Sequence, residues 1–458
     1  MNDLIGGITV QNQKEQTNSM LRPRQLLVVG GMLFSMFFGA GNLILPPLLG
    51  LQAGIDAPVA MVGFLVAGIG LPVLGIVAVA LCGDVRQLAG RVSPLFASVF
   101  VALVYLTIGP FLAIPRTSST AFEMLRPLVS LSNNTDLGVV AAVFSVVFFG
   151  VAFVLALRPG LLSRVLGIFS APALIALILL VVGASLLDPS GLPQPPQPPY
   201  DAHAATQGFA AGYQTMDLLA ALCFGIVVAT NVRQLGAQGS RGITGAISGA
   251  GVIAGALMMA LYCGLCFVGV SMGSVMPNAS NGAAILAASA NSHFGAVGAV
   301  IVAAIFLIAC LNVCTGLISC CAEYFNEAFP RVPLVAWAAL FAIFSCAVSF
   351  IGLDAILGFS VPLLGALYPP AIVLVLMGLL HRWCDKLPHV WPWAVLLTGV
   401  YSMLVALRDT FAPALWLPLD AFPLAEFGLG WLLVALVGAV IGVAQSFVQN
   451  DGGMERRQ

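Results

Sequence analysis

The sequence predicts an all-α polytopic membrane protein of about twelve transmembrane helices, on composition, run length and loop charge. Of 458 residues, 60% are hydrophobic and only 8% are charged, against about 25% charged in soluble globular domains. So few charges cannot wet the surface of a globule this size. A helix rises about 1.5 Å per residue, so crossing a hydrocarbon layer of about 30 Å takes roughly 20 apolar residues. Runs of that kind fall at 25–51, 58–82, 95–114, 137–157, 163–187, 211–232, 243–270, 296–321, 332–350, 355–380, 390–407 and 427–448. With an even number of spans both termini share one side. Of the 17 Lys and Arg, only Arg116, Arg126 and Arg408 then fall on the far side. The rest, from Lys14 to Arg457, share the side of the termini, which the positive-inside rule makes the cytoplasm.

The ends and the composition exclude other classes. Residues 1–23 form a polar tail with no basic segment feeding a short apolar core, so no cleavable signal is expected. Residues 24–450 form the membrane domain, and 451–458 a short polar tail on the same side. A net charge of −1 offers no field for nucleic acid. The two Lys, at 14 and 386, follow no Gly-rich loop, so ATP is not expected to drive this chain. Cys263-x-x-Cys266 lies inside an apolar run with no second pair, and the four His lie in loops, so no metal cofactor is expected. No protein partner is evident; the lipid bilayer is the environment implied.

Helix breakers inside spans are the next signal. In lipid every backbone polar group needs an internal partner, and broken helices persist only where they line a cavity. The first span carries Phe38-Gly39-Ala40-Gly41-Asn42 at mid-depth, followed by Pro46-Pro47. Glycine there frees the backbone to unwind. The second half-helix would aim free N–H groups at a carboxylate, and the last carbonyls of the first would suit an ammonium or a metal cation. Close packing of small residues is the alternative. Phe224-Gly225 sits at mid-depth of the sixth span as Phe38-Gly39 does in the first. That spacing, five helices apart, suits an inverted repeat of two five-helix units. Upstream, Asp217 is the one acid inside a span; intramembrane acids face cavities, although interfacial capping is the alternative. In the eighth span Asn312, Thr315 and Ser319 recur on one helix face. Their oxygens suit Na⁺, or equally interhelical hydrogen bonds. Gly109-Pro110 and Pro115-Arg116 close the third span, and Arg116 is a gate candidate or a snorkelling helix stop. Residues 188–200, DPSGLPQPPQPPY, are expected to lie extended over the outer face. Asn133-Asn134-Thr135 and Asn278-Ala279-Ser280 match a glycosylation sequon.

The run from Phe37 to Pro47 with Gly50-Leu51-Gln52-Ala53-Gly54 resembles the first helix of the bacterial branched-chain amino acid:cation symporters. Gly109-Pro110 through Thr117, Gly212-Tyr213 with Thr215-Met216-Asp217, Asn281 to Leu286, Cys320 to Glu323 and Tyr368-Pro369-Pro370 are similar to that family's other blocks, in order, over about 24–445. The resemblance implies a LeuT-like (APC superfamily) 5+5 inverted repeat, at about 24–187 and 207–380, plus two C-terminal helices at 390–448. It implies a transporter domain in the bacterial inner membrane, with both termini cytoplasmic. It also implies uptake of leucine, isoleucine or valine by symport with Na⁺ or H⁺. The site it implies has the backbone of Gly39, Ala40 and Gly41 at the substrate carboxylate, with Asn42 beside them. Asp217 and first-span carbonyls stand at the ammonium, and Phe38, Tyr105, Phe224 and Gly225 around the side chain. Asn312, Thr315 and Ser319 are the candidate Na⁺ ligands. The chain departs from the family at Val313, where Thr is usual, and at Thr315, where an aliphatic is usual. A passive channel would want rings of charge or carbonyls, and an intramembrane enzyme a catalytic pair at depth. The sequence shows neither.

Overall fold

Helix α1 (Pro23–Phe37) opens with a proline in its first turn, where no N–H is needed. It ends at Phe38, whose ψ of 85° leaves the helical region. Helix α2 (Ala40–Ala53) starts two residues later, capped by an extended Gly39. These helices belong to a computed structural model that describes residues 21–129, 137–158, 164–351, 353–411, 419, 422, 424–425 and 428–455. Among the described residues every regular element is a helix. The Asn133 sequon and residues 1–20 and 456–458 lie outside them.

The chain reverses after α2. Gly54 takes φ +52°, a short turn follows, and α3 (57–82) runs back with a widened turn at Val66–Gly70. In one straight helix Phe38 and Phe64 would stand roughly 40 Å apart. Instead both rings pack on Tyr262, with centroids 5.8 and 5.2 Å away. The continuous apolar stretch Ala40–Cys82 is therefore two passes. A side chain at Gly54 would be strained, and its Cβ would strike the carbonyl of Gln194 in the Pro-rich segment. Replacing Gly54 by Ala is expected to destabilise the protein by at least about 1–3 kcal/mol. A lowered midpoint of thermal unfolding in detergent checks this.

Besides the short helices Val85–Gly90 and His381–Cys384, the remaining helices are α4 (Pro94–Leu106), α5 (Ala113–Val129), α6 (Leu137–Ala156), α7 (Val165–Leu187), α8 (Tyr200–Tyr213), α9 (Asp217–Gln234) and α10 (Gly239–Ser271). They continue with α11 (Gly282–Phe294), α12 (Ala296–Ala328), α13 (Leu334–Ser349), α14 (Leu353–Leu379), α15 (Val390–Phe411) and α16 (Trp431–Glu455). Among the described residues ten stretches are long and apolar enough to cross a membrane, and Pro23–Phe37 and Leu334–Ser349 are shorter apolar helices. With Ala40–Cys82 counted as two passes and α1–α2 as one broken span, the twelve expected runs are all accounted for. α15 packs on α14 and α16 packs on α15, as an appended pair.

Three expectations need correction. Gly109 and Pro110 do not end the third span. Non-helical Gly109 (ψ −118°) and Leu112 kink it, and α5 continues past Arg116 to Val129. Pro115 lies in the first turn of α5, where a missing N–H costs no hydrogen bond. The break in the sixth span is not at Phe224-Gly225, which sits inside continuous α9. It lies at Gln214-Thr215-Met216, where Met216 adopts the left-handed conformation at φ 68°. His203 and His293, expected in loops, lie on α8 and α11.

The Pro-rich segment is an extended strap. Gln197 N donates to Gln52 O at 2.8 Å and Ile55 N to Gln194 O at 3.1 Å. Gln194 Nε2 donates to Leu51 O and Gln197 Nε2 to Pro277 O. Backbone groups that proline leaves unpaired inside the strap are thus matched by the end of α2 and by the loop before α11.

Candidate functional site

The two helix breaks meet. Asp217, the first residue of α9, is 3% exposed and sits where a helix N-terminus favours a carboxylate. Its Oδ2 accepts from Asn42 Nδ2 of α2 at 2.6 Å and from the Tyr262 hydroxyl of α10 at 3.3 Å. Asn42 also donates to that hydroxyl. Three helices therefore converge on one carboxyl group. On the far side, Tyr368 of α14 accepts from Leu218 N, which fixes the start of α9.

Beside this network lies a cavity of about 30 Å³, room for about one or two water molecules. Gly39, Ala40, Gly41, Asn42, Arg116 and Asp217 line it, so the structure brings six of the sequence-derived residues together. Arg116 is the one whose place differs most from expectation. It does not stand at an outer helix end; it points into the cavity, with Nη2 3.2 Å from where a Cβ on Gly41 would lie. Among the described residues Arg116 makes no ion pair, with Asp217 or any other acid. Opposite charges thus face one buried cavity without touching.

Seven residues are not brought to it. Phe38 is fully buried behind the break, between Phe34 and Tyr262. Phe224 packs behind Phe37 at 5.1 Å. Gly225 packs against α3, its would-be Cβ 2.7 Å from Val79. Tyr105 stacks on Tyr324 at 4.1 Å and donates to Cys223 O. Asn312, Thr315 and Ser319 lie on the wrong face of α12. Val313 and Leu317 line the cavity instead, roughly 150° round the helix from that stripe at 100° per residue. Asn312 Oδ1 accepts from Ser170, and Thr315 donates to Leu311 O. Sequence reasoning missed Tyr262, the one tyrosine of an apolar span. It also missed Phe37, Ile108 and Leu317, which carry no signal beyond being apolar.

Val313 also explains why position 39 is glycine. A Cβ there would come within 2.9 Å of Val313 Cγ2. Gly39→Ala is expected to cut uptake about tenfold or more, since overpacking typically costs about 1–3 kcal/mol. Val313→Ala in the same chain removes the clashing methyl and is expected to restore most of it. A double-mutant cycle on uptake rates checks the coupling.

Comparison with known proteins places this geometry. A family model described as "Branched-chain amino acid transport protein" matches residues 22–448. The chain is 35% identical over 428 residues to the branched-chain amino acid permease BraB of Bacillus subtilis, covering 92% of this chain and 95% of that one. It is 38% identical to the branched-chain amino acid transport system 3 carrier protein of Pseudomonas aeruginosa, covering 90% and 94%. Among solved structures it resembles Mhp1, a nucleobase-cation-symport-1 family transporter, in a closed conformation with bromovinylhydantoin bound. The TM-score is 0.58 at 13% identity, over 94% of this chain and 95% of that one. That likeness shows the fold, a LeuT-like helical bundle.

Proposed function

The chain belongs to the branched-chain amino acid transport protein family, and on that premise we propose that it imports leucine, isoleucine or valine by cation symport. The observation that carries this reading is the pair Arg116 and Asp217, facing one buried cavity without pairing. Buried charges normally pair with each other. A zwitterionic amino acid would supply both missing partners, its carboxylate to Arg116 and the first-turn N–H groups of α2, its ammonium to Asp217. Arginine's planar fork suits a carboxylate, which it can hold with two parallel hydrogen bonds. Met36, Phe37, Ile108, Val313 and Leu317 supply an apolar wall. Burying a branched aliphatic side chain yields about 1.5–3 kcal/mol. That favours leucine over glycine without separating leucine from isoleucine or valine.

The coupling ion is Na⁺ or H⁺. α12 offers the cavity only aliphatic side chains, Val313 and Leu317, so a cation coupled at the cavity would take its ligands from the broken helices rather than from α12 hydroxyls. We assign the repeats to about 24–187 and 207–380, with broken α1–α2 and α8–α9 as equivalent elements and α15–α16 outside the repeat. Alternating access turns on those breaks, in the bacterial inner membrane with both termini cytoplasmic. Labelled leucine uptake into proteoliposomes, under an imposed Na⁺ or H⁺ gradient in parallel, tests the reading. Accumulation under one of the two gradients is expected, and which one names the coupling ion. Accumulation under neither gradient would overturn the substrate assignment.

A further inference from the structure

A second, larger chamber of about 280 Å³ lies between the appended helices and the break that leads into α9. Its walls carry Tyr213 and Gln214 at the end of α8, Tyr368 of α14, Arg408 and Asp409 of α15, and Trp431 of α16. The central cavity, at about 30 Å³, cannot hold leucine in this conformation. The chamber has room for on the order of ten waters, the bulk of one small amino acid. Its walls reach the protein surface, since Gln214 is exposed and the Asp409 side chain is 56% exposed. It also adjoins the centre. Gln214 lines the chamber, yet its backbone oxygen lies 3.7 Å from where a Cβ on Gly41 would be.

The chemistry of the walls is that of an amino-acid site. Arg408, with its side chain 14% exposed, and Asp409 are salt-bridged to each other at 2.7 Å, with Arg408 Nε donating to Asp409 Oδ1 at 2.8 Å, so a zwitterion would bind by exchanging that pair for its own two charges. The Tyr213 hydroxyl and the Trp431 indole N–H are buried near each other, and neither makes a hydrogen bond of good geometry. A buried donor left unmade costs about 1–3 kcal/mol, so both favour an acceptor arriving in the chamber. Leu364 and Val405 add an aliphatic wall.

We propose that this chamber binds a zwitterionic aliphatic amino acid on its way to the central cavity, Arg408 taking the carboxylate and Asp409 the ammonium. The proposal rests on the substrate reading above. It gives α15 and α16, which stand outside the repeat, a role as the outer wall of a waiting site. Release from the chamber would pass Gln214, the first residue of the unwound segment.

The test is equilibrium binding of tritiated L-leucine to the full-length protein in lipid nanodiscs, with uptake measured beside it. Ser402 lines the chamber and not the centre, and its hydroxyl only bonds Thr398 O on its own helix. Ser402→Trp fills the chamber, and Ser402→Ala leaves it open. Two leucines bound per protein are expected for the unaltered chain and for Ser402→Ala, and one for Ser402→Trp. The leucine that remains in Ser402→Trp reports that the variant is folded. Arg408→Gln is expected to weaken the outer site about tenfold or more, the worth of a hydrogen bond to a charged group. It should raise the uptake KM and leave the maximal rate nearly unchanged. One leucine per protein in every variant, with uptake unaltered, would overturn the chamber and leave the central reading standing. No leucine bound by any of them would overturn both.

Discussion

Arg116→Gln is expected to lower leucine uptake by about a hundredfold or more, because truncating one partner of a buried charge contact costs about 2–5 kcal/mol. The guanidinium has no other job in the structure. It makes no ion pair among the described residues, and it reaches the cavity beside Gly41. A residue that merely ended the third span would leave uptake nearly intact when neutralised. Arg116→Lys keeps the charge but loses the planar fork. It is expected to fall between the unaltered chain and Arg116→Gln. Uptake kinetics on the three proteins, at matched amounts in proteoliposomes, check the order.

Asp217→Asn is expected to abolish gradient-driven accumulation, again by about a hundredfold or more. The amide fits the same space and can still accept from Asn42, so packing and fold are expected to survive. What goes is the negative charge facing the cavity. Leucine counterflow, which needs binding but no ion gradient, separates two roles. If Asp217 holds the ammonium, counterflow is lost as well, and that is the expected result. If it only carries a proton, counterflow persists. Tyr262→Phe removes one donor to the same carboxyl. It should cost only about 1 kcal/mol, roughly fivefold in rate, as single neutral hydrogen bonds do.

The first break was legible because its residues announce it. Gly39 and Gly41 flank a mid-span position and are followed by two prolines, a pattern that suits a break lining a cavity. The second break was not, because Gln214-Thr215-Met216 contains neither glycine nor proline. Its left-handed residue is Met216, held there by burial and by the partners of Asp217. Phe224-Gly225 copied the first-span pattern but serves packing against Val79. Arg116 was misplaced because proline was read as a stop, whereas Pro115 falls in a first turn where it breaks nothing. The eighth-span stripe misled for a different reason. Ser and Thr hydroxyls in a helix can satisfy themselves on the carbonyl four residues back, as Thr315 does on Leu311. Asn312 in turn takes a hydrogen bond from Ser170 of α7, the interhelical bond that such a stripe equally suits.

The central claim is that Arg116 and Asp217 hold the two ends of one zwitterion. L-leucinamide has the ammonium and the side chain of leucine but no carboxylate. Its inhibition of leucine uptake, or its direct binding, should be measured on the unaltered chain and on Arg116→Gln. Leucinamide is expected to bind weakly to both, with an inhibition constant little changed by the substitution, while leucine itself weakens about a hundredfold. If Arg116→Gln weakens leucinamide as much as leucine, Arg116 does not touch the carboxylate and the account is wrong.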